Sequence, residues 1–98
     1  MTKHMNIVRY KPKYGQKNLL IKAHNDLEIS SWKGCLSMKL VDCGEWLCGM
    51  MEWESAEHLK EEMPQLISFL DIWRDNLEEI SPELGVTDPM SGSIVIDV

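Results

Sequence analysis

Asn6 and Tyr10 stand four residues apart around the run Ile7, Val8, Arg9, and each can exchange a hydrogen bond with an oxygen-bearing ligand. An asparagine amide donates to a phenolate or carbonyl, and a tyrosine hydroxyl donates or accepts. Each also has a plainer role, Asn6 in starting a strand and Tyr10 as an ordinary strand residue. Arg9 can pair with an anionic substrate or with an acid across an interface, the second being the commoner use. His24 and His58 can act as bases near neutral pH. Most histidines in such positions are surface groups or satisfied core residues. Cys35, Cys43 and Cys48 offer soft metal ligands, but Cys43-x4-Cys48 has no histidine following at zinc-finger spacing. These thiols read best as small buried or half-buried residues, and no metal site is expected. The chain has no Gly-rich phosphate loop, no Ser-His-Asp signature and no HExxH, so nothing in it supports flavin or nicotinamide binding. No cofactor is expected.

The elements that must position these residues follow from periodicity. Asn6 to Lys11 reads as a strand that Pro12 ends, and Tyr14-Gly15 makes a turn. From Gln16 the period changes: Leu19, Leu20, Ala23 and Leu27 form a helical stripe, with His24 beside it. Ser30, Ser31 and Gly34 mark a loop. Cys35 to Asp42 alternates, with Leu36, Met38 and Leu40 on one face and Cys35, Ser37, Lys39 and Val41 on the other. A hairpin turn at residues 42–45, with Gly44 free to take positive φ, leads into a second strand ending at Trp53. Its two faces are Trp46, Cys48, Met50, Glu52 and Leu47, Gly49, Met51, Trp53. Both are largely apolar, which predicts burial on both sides. Ser55 caps a short helix from about Ala56 to Glu62. Pro64 restarts it as a second piece, with a stripe of Met63, Leu66, Ile67, Leu70, Trp73, Leu77 and Ile80. Asp88-Pro89 and Ser91-Gly92 read as turns, with Asp88 making an Asx turn that sets the register of a last strand, Ile94 to Val98.

The order β-α-β-β-α-β is that of an α+β, ferredoxin-like protomer, an antiparallel sheet with helices on one face. The second buried face of the Trp46 strand then needs a cover. A second copy of the chain, sheet to sheet, is the economical one, with Trp46 in that homodimer interface.

Ninety-eight residues make one domain, read as residues 6–98 behind a short frayed lead-in of residues 1–5. The net charge of −6 makes nucleic-acid binding a poor expectation. Lys3, Arg9, Lys11, Lys13, Lys17 and Lys22 gather early and could steer an anionic ligand, although a mixed solvated surface is the plainer reading. No stretch approaches the ~20 apolar residues that span a bilayer, so no membrane partner is expected. The start has no signal-peptide h-region, and an odd number of cysteines then argues for reduced thiols in the cytoplasm.

IVRYKPKYGQ near the start, the EWES junction of Glu52 to Ser55, and the tail LGVTDPMSGSIV resemble the antibiotic biosynthesis monooxygenase-like family over nearly the whole chain, Asn6 to Val98. The resemblance implies a dimeric α+β barrel. It also implies cofactor-independent oxidation of a quinol, anthrone or polyphenol, or else a non-catalytic dimeric ligand-binding or stress-associated module of the same fold. Counted from the EWES junction, Glu62 and Ile72 stand where the haem-degrading relatives have a tryptophan and a histidine, so haem cleavage is not expected. In this resemblance Trp53 sits beside a helix–sheet cleft where a flat aromatic could stack; its plain alternative is a core tryptophan at a strand end. Asn6, Trp53 and His24 are then the catalytic candidates. Tyr10, Arg9, Met51, Leu66 and Leu70 are the substrate-binding candidates.

Overall fold

The computed structural model describes residues 2–98. Four strands, β1 (His4–Tyr10), β2 (Cys35–Cys43), β3 (Trp46–Trp53) and β4 (Asp88–Ser93), form one antiparallel sheet in the order β2-β3-β1-β4. Helices α1 (Lys17–Asn25) and α2 (Ala56–Trp73) complete the ferredoxin-like α+β arrangement. Tyr10 and Leu47 face each other across β1 and β3, and they pack with Leu20 of α1 and Trp73 of α2. A second cluster joins Trp32, Met51, Trp53 and Leu59. Both helices therefore cover the same face, the one presenting Leu47, Met51 and Trp53. Trp46, Cys48, Met50 and Glu52 alternate to the other face, which no element among the described residues covers.

The elements depart from the periodic reading in four places. β1 begins at His4 and so takes in two residues expected in the lead-in. Paired with β3 and β4, these residues have backbone partners that hold them in the sheet. A register shift between Cys35 and Ser37 bulges β2. It turns Leu36 outward and lets Cys35 pack with the second core cluster, reversing the expected alternation at that end.

The expected break at Pro64 is absent, and α2 runs unbroken through it. Pro64 lies on the exposed side, where the carbonyl it leaves unbonded turns to solvent. The ladder instead stops at Trp73. A 3-10 turn, Arg74–Asn76, follows, and Leu77 is extended and bridges to Pro12, buried without being helical.

The last strand is Asp88–Ser93 and not Ile94 to Val98. Its pairing runs from Arg9↔Asp88 to His4↔Ser93, where β1 begins; beyond it the Ile94 amide reaches back to Lys3 O at 2.9 Å and the Asp97 carboxylate pairs with Lys3 Nζ at 3.5 Å. Pro89 is tolerated because β4 is an edge strand with one side free of ladder bonds. Asp88 makes no turn; its carboxylate accepts a hydrogen bond from Arg9 Nε at 2.8 Å.

Two connections explain how α1 and α2 are aimed. Gly44 takes φ +87° in the β2–β3 turn, and Lys17 at the start of α1 ties to that turn through the Asp42 carboxylate (2.6 Å) and Gly44 O (2.9 Å). Gly34 takes φ +83°, and a side chain there would run into the His58 ring on α2.

Candidate functional site

A cleft of about 510 Å³ opens between α2 and the inner face of β1, β3 and β4. Its walls are mostly apolar, including Val8, Met51, Leu66, Phe69 and Leu70. It is roomy because β4 lies at the sheet edge and its inner-face residues Pro89 and Ser91 remain exposed instead of being covered by α2. A cleft of this size and polarity suits a small, flat hydrophobic ligand.

The polar groups are few. Tyr10, at the end of β1, is 3% exposed, and its hydroxyl lies 2.6 Å from His24 Nε2. His24, in the last turn of α1, is 6% exposed, and its Nδ1 donates to Leu20 O at 2.7 Å. That bond assigns the proton to Nδ1, so Nε2 accepts from the tyrosine. Burial lowers the His24 pKa from its ordinary value, against a smaller opposing effect of the Leu20 carbonyl. Burial also pushes the Tyr10 phenol well up, with a smaller push from Cys48. The resting pair is therefore a neutral phenol bonded to a neutral imidazole. Gly49 leaves the space beside it: a Cβ there would sit 3.2 Å from the Tyr10 oxygen.

Asn6 lies two positions before Val8 on the same face of β1 and lines the cleft. Its Oδ1 accepts from Trp53 Nε1 at 2.7 Å. With the oxygen held, the NH2 end is the one left to donate. Trp53 itself is fully buried and stacks with Trp32 at 6.4 Å between ring centroids. It stands behind the cleft wall, so no ligand can stack on it as expected; its contact with the site is through Asn6.

Of the expected site residues, Asn6, Tyr10, His24, Met51, Leu66 and Leu70 all line the one cleft. Arg9 does not. It alternates to the uncovered face, where it bonds Asp88 and lies over the Trp46 ring at 4.5 Å. His58 is also elsewhere: its Nδ1 shares a hydrogen bond with Ser55 Oγ at 2.7 Å, and that oxygen accepts from the His58 amide at 3.3 Å, closing the cap of α2.

Sequence reasoning missed Trp73 and Arg74 at the end of α2. Trp73 is 2% exposed, lines the cleft and packs on Tyr10 and His24, each at 4.9 Å between centroids. Its indole N–H has no partner among the described residues. The stripe marked Trp73 as core; no sequence signal marked it as an unsatisfied donor. Among the described residues no three metal-ligating side chains cluster, and no helix is long and apolar enough to cross a membrane.

No family model matches the chain, and no curated protein matches it. Solved structures do. A protein of Chloroflexus aurantiacus provisionally named an antibiotic biosynthesis monooxygenase is 18% identical with a TM-score of 0.74, over 99% of this chain and 97% of that one. A Streptomyces coelicolor monooxygenase in complex with nanaomycin D is 13% identical with a TM-score of 0.75, over 99% and 91%. A dimeric ferredoxin-like protein from an uncultured marine organism is 10% identical with a TM-score of 0.72, over 100% and 92%. Neighbours of this fold also include a protein of unknown function. At these identities the likeness establishes the ferredoxin-like α+β fold of the protomer.

Proposed function

We propose that the cleft binds a quinol-type aromatic and that the protein oxidises it with molecular oxygen, with no cofactor. The observation that carries this reading is the Tyr10–His24 pair, a buried acid–base couple at the wall of an apolar cleft. Neutral His24 takes the Tyr10 proton as Tyr10 takes one from the bound substrate. The electron-rich anion that results reduces dioxygen itself and adds it at carbon. The stored proton returns through Tyr10 to the peroxide. Loss of the remaining C–H proton as the O–O bond breaks leaves a new carbonyl and one water. Asn6, oriented by Trp53, donates to the substrate oxygen on which charge develops.

Oxygen uptake by metal-stripped protein with a panel of quinols, anthrones and naphthols, corrected for autoxidation, tests the reading. Uptake that saturates with substrate and falls in Tyr10→Phe is expected. A second reading, a non-catalytic ligand-binding module, draws support from the same pair, because two nearly buried, mutually satisfied side chains also describe a plain core contact. No uptake above background across the panel would favour it.

The protein is further proposed to work as a homodimer through the uncovered sheet face, where Met5, Ile7, Cys48 and Met50 lie around the Arg9–Trp46 pair. One of the structural neighbours is described as dimeric. Trp46→Glu should yield monomers or unfolded protein; an intact dimer by light scattering would remove this face from the interface.

A further inference from the structure

The chain carries 16 acidic and 10 basic residues, yet among the described residues no Asp or Glu lines the cleft. The one formal charge in its wall is Arg74, in the turn that ends α2. Arg74 Nε donates to Asp71 Oδ1 at 3.1 Å, which anchors the guanidinium. Asp71 is exposed and outside the cleft wall, so solvent screens its charge. A guanidinium has five N–H donors, and the other four have no protein partner among the described residues.

The neighbouring residue adds a second donor. Trp73 lines the same wall, is almost wholly buried, and leaves its indole N–H without an acceptor. A buried donor left unbonded is unfavourable, and a small shift of the indole toward an oxygen in the cleft would satisfy it. Thr87, across the cleft before β4, offers a hydroxyl. At this end the wall is thus rich in donors and free of carboxylates.

We propose that the ligand is an acidic aromatic, a flat apolar body bearing an anionic oxygen such as a carboxylate or ionised phenol, and that Arg74 selects it. The ring system lies along the apolar wall and the anion sits at the Trp73–Arg74 end. The proposal names the substrate class for the cleft proposed above, but it concerns binding and does not require turnover. It also moves the ligand-binding cation from Arg9, which the sheet's alternation sends to the opposite face.

The test is a fluorescence titration at low ionic strength with two probes, anilinonaphthalene sulfonate and N-phenylnaphthylamine, which share a ring system and differ by the anion. Wild-type protein is expected to bind the anionic probe about tenfold more tightly, the scale of one hydrogen bond to a charged group. Arg74→Gln should remove that preference and leave the neutral probe's affinity unchanged. Arg74→Lys should keep part of it, and Arg9→Gln all of it. Ile67→Trp places bulk at an exposed position of the cleft mouth and should weaken both probes. Equal affinity of wild type for the two probes would overturn the proposal. So would a preference that survives Arg74→Gln, or anionic binding that survives Ile67→Trp and therefore lies outside the cleft. Absence of oxygen uptake would defeat the oxygenase reading alone and leave this result standing.

Discussion

The two faces of the sheet are built from the same four strands, and they differ in what they do with polar groups. On the inner face, Asn6, Tyr10 and His24 are neutral, buried or half-buried, and bonded at 2.6–2.7 Å to partners fixed by the core. On the outer face, Arg9 is half-exposed, with its charge shared between Asp88 and the Trp46 ring. Neutral groups in a dry cleft can move a proton with little competition from water. A charged pair on an open face is screened and contributes little until something covers it. Position relative to the helices, more than residue type, separates the proposed site from the proposed interface here.

The largest expected effect that would break this contrast is on stability. Trp53→Ala should cost about 3–5 kcal/mol in chemical denaturation, as for other large core truncations, because Trp53 is fully buried and also holds Asn6. Trp46→Ala should cost the isolated protomer far less; equal losses would mean that the outer face is as packed as the inner one.

Next comes catalysis. Tyr10→Phe retains the ring in its place between His24 and Trp73 but removes the hydroxyl. It should lower oxygenase turnover by about 100-fold or more, and because it leaves the buried His24 Nε2 without its donor it should also cost about 1–3 kcal/mol of stability. Unchanged turnover would assign Tyr10 to packing alone.

The pH dependence sharpens the comparison on the inner face. The His24 pKa is lowered in the folded state from 6.5. Below that value the unfolded chain binds a proton that the folded chain resists, so stability is full above about pH 6.5 and falls as the pH drops through it. Turnover should fall in the same direction as the base is protonated. His24→Gln should flatten the acid side of the stability profile, and an unaltered slope would show that another group carries it.

The smallest effect is expected on the outer face. Arg9→Ala should change protomer stability by about 0.5 kcal/mol or less, since both partners of its ion pair are partly exposed. A change of cleft affinity in that variant would show that the two faces communicate.

The fold was legible in the chain because its alternations are strong and its turn residues well placed. Gly44 sits in a hairpin turn, Ser55 caps α2, and the β3 faces divide as their period requires. The misreadings have local causes. A bulge at Cys35 is invisible to a period of two, and Pro64 looks like a helix start until the rest of α2 carries the helix across it. The true last strand, DPMSGS, has the composition of a turn and was hidden because pairing with β1, not propensity, makes it a strand.

For the site, the sequence by itself determined the element order and the two face sets of β3, and it put Asn6 and Tyr10 on one strand, where a period of two gives them a common face. Those are consequences of backbone periodicity, which local residues set. Only the tertiary structure decided that His24 meets Tyr10, that Trp53 serves Asn6 from behind the wall, and that Trp73 and Arg74 supply the donors at the end of α2. These depend on where two helices come to rest on the sheet. Their resting places are set by volumes and hydrogen bonds contributed from four separate parts of the chain, and no local pattern of residues encodes that sum.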